Sequence, residues 1–350
     1  MSVRTLVPGA AAAAAPAGWG VRRAVRLAFP DPAPRAPDPE RDERLRVYLT
    51  DLLHPYGLAL DAQEPPDRGG HSYGDLAAAL IRQAVPAGEH VDLLVLAYAV
   101  PDVTPGRATA TWLSHVCPGN PLAFAVADQG PAAAFTALRL AHAYATTAAL
   151  PRALVLIVEQ PALPYEPLTS PGADGPPAPD GAATPTAAHA PSGTGAVPRS
   201  PAASAPTSPA QPAPDTGAST PALLPDGAYG VALLLGPPAP GERVAGLGAL
   251  RAGGATAADV TDALGGGVAV LGAGVDGRVL AAGARVRQAA AGRPGTGVWW
   301  ELAGVLAEPA AEPCRVVLAD RAPGSGGLAL AAVDVPAVAA RETAAAGARR

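Results

Sequence analysis

The chain has 350 residues, with 30 acidic side chains against 25 basic ones and a formal net charge of −5. That length fits one large domain or two modest ones, and the mild acidity with scattered arginines excludes the basic stripe of a nucleic-acid-binding surface. Lysine is absent, so a lysine Schiff base is impossible and ordinary pyridoxal-phosphate chemistry is removed.

Hydrophobic residues make up 49% of the chain but aromatics only 4%, so the expected core is sizeable and built from small aliphatic side chains. Cys117 and Cys314 are too far apart for a disulfide framework or a paired metal motif; no metal and no cofactor is expected. Glycines 265–267 are not a phosphate loop, because GxxxxGK[ST] needs a lysine. The longest apolar run falls short of the roughly 18 residues of a membrane span. An alanine-rich stretch, 7–18, follows Arg4, but Pro8 and Pro16 interrupt it and alanine makes a poor signal-peptide core. The expectation is a cytoplasmic protein without membrane association.

In chain order, Gly20–Phe29 reads as a strand and residues 38–54 as a charged amphipathic helix. Residues 72–85 (SYGDLAAALIRQAV) open on Ser72 as an N-cap and continue with helical spacing. Residues 91–100 (VDLLVLAYAV) form a continuous apolar run, the pattern of a strand buried on both faces. Thr109–Val116 suits a short helix, 122–127 a second buried strand, 131–150 a long alanine-rich helix with Pro131 in its first turn, and Ala153–Glu159 a third buried strand.

Residues 166–222 are Pro, Ala, Ser, Thr and Gly with almost no apolar anchor, a composition that reads as a disordered linker too long for an ordinary loop. Beyond it, 228–235, 267–271 and 315–318 read as strands, 327–335 as the hairpin partner of the last, and 256–264, 277–290 and 298–307 as helices. The resulting organisation is a flexible N-terminus 1–18, an ordered block 19–165, the linker 166–222, a second ordered block 223–336 and a flexible tail 337–350. Buried strands alternating with helices imply an α/β fold with a parallel or mixed sheet covered on both faces.

The order of elements in VDLLVLAYAVPDVTPGRATATWLSHVCPGNPLAFAVADQGPAAAFTALRLAHAYATTAALPRALVLIVEQ (91–160) resembles the first half of the ketoacyl-ACP synthase III proteins of the thiolase-like superfamily. There a strand ending in a TPD-like turn leads to a helix, a second strand runs into the nucleophile turn, and a buried helix is followed by a strand ending in Glu. DGAYGVALLLG (226–236) is similar to the strand that follows that family's variable loop, here occupied by the linker. AGVDGRV (273–279), PGTGVWWELAGVL (294–306) and RVVLADRAPGSGGLALAAV (315–333) fall where the family has its His-containing motif, its Asn-containing turn and helix, and its closing Gly-rich hairpin. The resemblance implies a thiolase-type αβαβα layered sandwich of two similar halves. It also implies a homo- or heterodimer, acyl-CoA or acyl-carrier-protein substrates, and acyl transfer through a cysteine thioester.

That chemistry needs a thiolate at a helix N-terminus and a His and an Asn to stabilise the developing negative charge. Matching Phe124 to the Phe that begins the family's nucleophile strand places the cysteine position at Gly130, which has no side chain. No His occurs after His189, and the only Asn is Asn120, so the second half supplies neither partner; Ala273 stands at the His position. Weaker candidates remain. Cys117 lies in SHVCPGNP beside His115 and Asn120, although such partners are usually distant in sequence, and a buried structural cysteine is the competing reading. Asp128 fits a helix N-cap or a general base, and Gln129 a ligand hydrogen bond. Gly324 and Gly326 are candidates for oxyanion-binding backbone N–H groups. Asp226 reads as a strand-turn anchor, and Trp299 with Trp300 as core or interface.

Three readings fit the sequence. The first is a catalytically degenerate synthase-like subunit, a pseudoenzyme of polyketide or fatty-acid-type biosynthesis that partners an active homologue or an acyl carrier protein. The second is an acyltransferase on acyl-CoA or acyl-carrier thioesters with a non-standard site. The third is an unrelated α/β protein.

Overall fold

The computed structural model describes residues 18–31, 39–53, 70–103, 108–148, 150–162, 224–280, 283–308, 311–321 and 327–337. The segment read as a linker, 166–222, lies outside the described residues, as do Gly324, Gly326 and nearly all of the two stretches read as flexible ends. The first half runs β1 (Gly20–Phe29), α1 (Pro39–Leu53), α2 (Tyr73–Ala84), β2 (Leu93–Ala97), α3 (Thr109–Val116), β3 (Leu122–Val126), α4 (Ala132–Thr147), β4 (Ala153–Glu159) and β5 (Ala228–Gly236). The second half runs β6 (Ala245–Ala255), α5 (Ala257–Leu264), β7 (Val268–Leu271), a 3-10 turn at Gly277–Val279, β8 (Arg285–Gln288), α6 (Gly297–Ala307), β9 (Cys314–Arg321) and β10 (Leu328–Val335).

The strands lie in the order β3-β2-β4-β5-β1-β6-β10-β9-β7-β8. The join between β1 and β6 is slight, with only Gly20 opposite Gly246 and Val21 opposite Ala245. On either side of it the same pattern occurs twice. In the first half β2 is parallel to β3 and β4, β4 is antiparallel to β5, and β5 is antiparallel to β1. In the second, β7 is parallel to β8 and β9, β9 is antiparallel to β10, and β10 is antiparallel to β6. Two copies of one five-stranded topology, each with helices between its strands, are the two similar halves expected from the sequence.

Side-chain alternation assigns the layers, because successive strand residues face opposite sides of a sheet. Leu93 and Val95 of β2, Val155 and Ile157 of β4 and Val231 and Leu233 of β5 share one cluster with Val316 and Leu318 of β9, Ala329 and Ala331 of β10, and the buried faces of α4 and α6. These two helices therefore lie between the sheets. The opposite face of the first sheet packs on α2 and α3 through Leu94, Leu96, Leu154, Leu156 and Leu80. The opposite face of the second packs on α5 through Val260, Leu264, Val317 and Leu330. A helix clasped between two sheets has little room, and α4 accordingly presents Ala132, Ala133, Ala134, Ala137, Ala141 and Ala145 as buried residues. The large filler at the centre is a ring pair, Phe135 of α4 and Trp299 of α6, with centroids 4.8 Å apart.

Local signals account for several boundaries. Ser72 caps α2 by accepting from the Asp75 backbone N–H, and Thr256 forms a reciprocal capping box with Asp259 at α5. Three readings change. Residues 122–127 are not buried on both faces: β3 is the outer strand of its sheet, and Leu122 and Ala125 are exposed. Residues 277–290 are not a helix; Asp276 accepts from the Arg278 backbone N–H to start a single 3-10 turn, and Arg285–Gln288 pairs with β7 as the other outer strand. The eleven-residue β6, AGLGALRAGGA, has no counterpart in the sequence reading. Among the described residues no helix is long and apolar enough to cross a membrane.

Candidate functional site

β3 delivers the chain into a tight turn, 127–131, at the N-terminus of α4, and this turn holds three of the sequence-derived candidates. Asp128 (φ 60) and Gly130 (φ 49) both adopt left-handed backbone, a conformation glycine takes without steric cost and aspartate tolerates better than most residues. The turn satisfies the helix start with its own backbone: Ala132 N–H donates to the Gln129 carbonyl and Ala133 N–H to the Gly130 carbonyl. Asp128 is therefore not the N-cap; Pro131 occupies that position and makes no side-chain cap bond. The Asp128 side chain is exposed. Gln129 folds back along α4, its Oε1 accepting from the Thr136 hydroxyl at 2.6 Å. Gly130 offers no nucleophile.

Cys117 does not replace it. The residue closes α3, lies 2% exposed in the cluster on the outer face of the first sheet, and burial pushes its thiol up to about 12. A thiol that stays protonated at neutral pH is a poor nucleophile. His115 is exposed, and Asn120 sits in its own left-handed turn (φ 47). The three residues that look adjacent in sequence form no catalytic cluster.

In the second half, β7 runs into the turn 272–275. Gln288 donates through its amide to the Gly272 carbonyl at 2.6 Å, and Arg321 Nε to the Gly274 carbonyl at 2.5 Å. Ala273 is exposed within this turn and has no titratable group to offer. A Cβ at 272 would lie 2.0 Å from Asp320 Oδ1, so a side chain there requires the buried Asp320 carboxyl to move. Asp320, at the end of β9, is buried and accepts from the Arg321 backbone N–H at 2.8 Å. Burial outweighs that bond and the charge of Arg321, raising its carboxyl to about 7.

The equivalent place in the first half, the end of β4, holds Glu159. It is 2% exposed and reaches across to the second half, accepting from the Gly295 backbone N–H at 2.7 Å and from the Thr296 hydroxyl at the start of α6. Burial raises its carboxyl to about 7 against those hydrogen bonds and the nearby charge of Arg293. Arg293 in turn stacks between Tyr229 and Trp300, 4.4 and 4.1 Å from their ring centroids. Asp226, read as a turn anchor, accepts from the Tyr229 hydroxyl at 2.8 Å.

Beside the α4 turn lies a cavity of about 450 Å³. Tyr48, Tyr73 and Tyr98, Asp102 and Asp128, and the first turn of α3 form its wall. The Asp102 carboxylate accepts from the Tyr73 backbone N–H, 3.2 Å from each oxygen, and the Tyr73 hydroxyl donates to the Val100 carbonyl at 3.0 Å. Sequence reading missed this group because its members come from five separate elements with no common spacing. The one hint was Asp128 at the end of an apolar run.

No known protein family matches the chain by sequence, and no curated protein matches it either. Solved structures do. A variant of OleA from Xanthomonas campestris matches with a TM-score of 0.50 at 12% identity, over 91% of this chain and 98% of that one. ChlB3, described as an acyltransferase, matches with a TM-score of 0.50 at 15% identity, over 91% and 98%. AbyA1, a tetronic acid condensing enzyme, matches with a TM-score of 0.49 at 18% identity, over 90% and 99%. At such identities the likeness is one of fold. The twice-repeated topology and the two central helices, with the first two of these neighbours, define a thiolase-type fold.

Proposed function

We propose that this chain is a non-condensing, synthase-like subunit of a polyketide or fatty-acid-type pathway, which acts through a partner: an active homologue or an acyl carrier protein. The observation that carries the reading is the turn before α4. It has the left-handed geometry and helix-start position of a nucleophile turn, with glycine at 130 and no thiol. The one cysteine of the first half is buried and protonated, and the turn after β7 carries Ala273 where a histidine is needed. Exposed Leu122 on the outer strand β3 supports the expectation of a homo- or heterodimer, since an outer strand presents unpaired backbone groups to a second sheet.

Incubation with radiolabelled acetyl-CoA and longer acyl-CoAs is expected to leave no acyl label on the protein, and affinity purification from the native host to recover a synthase homologue or an acyl carrier protein. Stable labelling that disappears in Cys117→Ala overturns the proposal. A second reading, direct acyl transfer with Asp128 as general base, is favoured by the exposed carboxylate at the mouth of the cavity. Release of CoA that is lost in Asp128→Asn would establish it in place of the first.

A further inference from the structure

We propose that the outer edge of β8 docks an extended acidic segment of another protein, which joins the second sheet as an added strand. β8 ends the strand order: β7 lies parallel on one side, and among the described residues no strand lies on the other. All of Arg285–Gln288 is exposed. Backbone groups of successive strand residues point to opposite edges. Ala289 N–H donates to the Leu271 carbonyl of β7, so Arg287 and Arg285 also turn their N–H and C=O towards β7. Val286 and Gln288 turn theirs outward. An added strand needs such a row of free donors and acceptors.

The side chains select the occupant. Residues 277–300 hold four arginines, Arg278, Arg285, Arg287 and Arg293, and no acidic residue, in a chain whose net charge is −5. Arg285 donates to the Gly266 carbonyl at 3.0 Å. Among the described residues no ion pair engages Arg278, Arg285 or Arg287. The acid next to this stretch, Asp276, accepts from the Arg278 backbone N–H at 2.9 Å.

Register divides these groups between two faces. Arg285 and Arg287 stand beside Val268 and Val270, on the face of the sheet that carries α6. Val286 stands beside Ala269 on the α5 face and is 40% exposed. A strand laid along this edge meets cations on one face and an apolar side chain on the other. Its complement alternates acidic with apolar or β-branched residues. A second copy of the edge would set arginine against arginine, which disfavours self-pairing and favours an acidic partner. The edge belongs to the second half and is independent of the nucleophile turn in the first.

Fluorescence anisotropy of dye-labelled, end-blocked peptides titrated with the full chain tests the edge. Thr-Glu-Val-Glu-Thr is expected to bind saturably and at least about tenfold more tightly than Thr-Arg-Val-Arg-Thr. The acidic peptide N-methylated at every peptide nitrogen cannot donate to a strand and is expected to bind about tenfold more weakly, as is an oligothymidylate of matched charge. Val286→Pro removes an outward N–H and leaves the β7 ladder intact, and Arg287→Glu reverses an exposed charge; each is expected to weaken peptide binding about tenfold. Arg287→Lys keeps the charge and is expected to retain binding. No saturable binding of the acidic peptide, equal binding of the basic peptide, the N-methylated peptide or the oligonucleotide, or undiminished binding in Val286→Pro or Arg287→Glu each overturns the proposal.

Discussion

Replacing Trp299 by alanine is expected to lower the unfolding free energy by about 4 kcal/mol, within the range for large aromatic residues truncated in a core. Trp299 is 0% exposed and sits where both sheets and both central helices converge. Its partner ring, Phe135, is 1% exposed, so the hole opens in a fully buried part of the core. Alanine-rich packing sharpens the effect, because Ala133, Ala137 and Ala303 of the same cluster have no rotamers with which to close a hole.

Two further variants make the expectation specific. The Trp299 indole N–H has no hydrogen-bond partner among the described residues, so Trp299→Phe forfeits volume but no bond and is expected to recover more than half of the loss. Its neighbour Trp300 is half-buried and held by Arg26 and Arg293 over its ring. Trp300→Ala is therefore expected to cost only about 1–2 kcal/mol, the scale of two cation–π contacts at a partly exposed site. Urea unfolding midpoints at fixed pH measure all three. A larger loss for Trp300→Ala than for Trp299→Ala would contradict this account of the core.

The contrast between these adjacent tryptophans shows what the sequence can and cannot reveal. Both were visible as candidates for core or interface; which one is central depends on the rotation of α6 between two sheets. Buried strands such as ALVLIVE were legible because both faces are apolar, and Ser72 announced its helix through cap chemistry. β6 was illegible because its Gly- and Ala-rich sequence has no apolar alternation; its strand geometry comes from pairing with β10, across two register irregularities. Residues 277–290 carried helix-compatible spacing, but Gly283 adopts φ 87 and Arg285–Gln288 finds backbone partners on β7, so tertiary pairing overrides local preference. Of the site, the empty nucleophile position was legible as Gly130. The tyrosine-walled cavity was not, since Tyr48, Tyr73 and Tyr98 come from α1, α2 and the end of β2, which meet only in the fold.

Stability is expected to fall as pH rises from about 4 to 7, and Glu159→Gln to remove much of that fall. Glu159 and Asp320 end matching strands of the two halves, and burial raises both carboxyls to about 7 from ordinary values of 4.5 and 3.8. A raised carboxyl means that the folded chain keeps a proton the unfolded chain has already released. The favourable contribution is thus complete below the unfolded value and is lost as pH climbs to about 7, beyond which both states are ionised and the difference stays constant. Each tenfold change in proton affinity is worth about 1.4 kcal/mol, so each group accounts for a difference on the order of 3 kcal/mol. Glu242 acts in the opposite sense: burial raises it, but the hydrogen bond and charge of Arg22 lower it further, so its contribution disappears only in acid below its ordinary value. The net expectation is a stability maximum at the acid edge of that window, near the ordinary carboxyl value of 4.5. In Glu159→Gln the side-chain carbonyl still accepts from Gly295, so the link between the halves persists while the titration does not. Urea unfolding at several pH values tests this, with Asp320→Asn as the second variant. Wild-type stability that rises between pH 5 and 7, or a Glu159→Gln profile parallel to wild type, would show that the end of β4 is better solvated than its geometry requires.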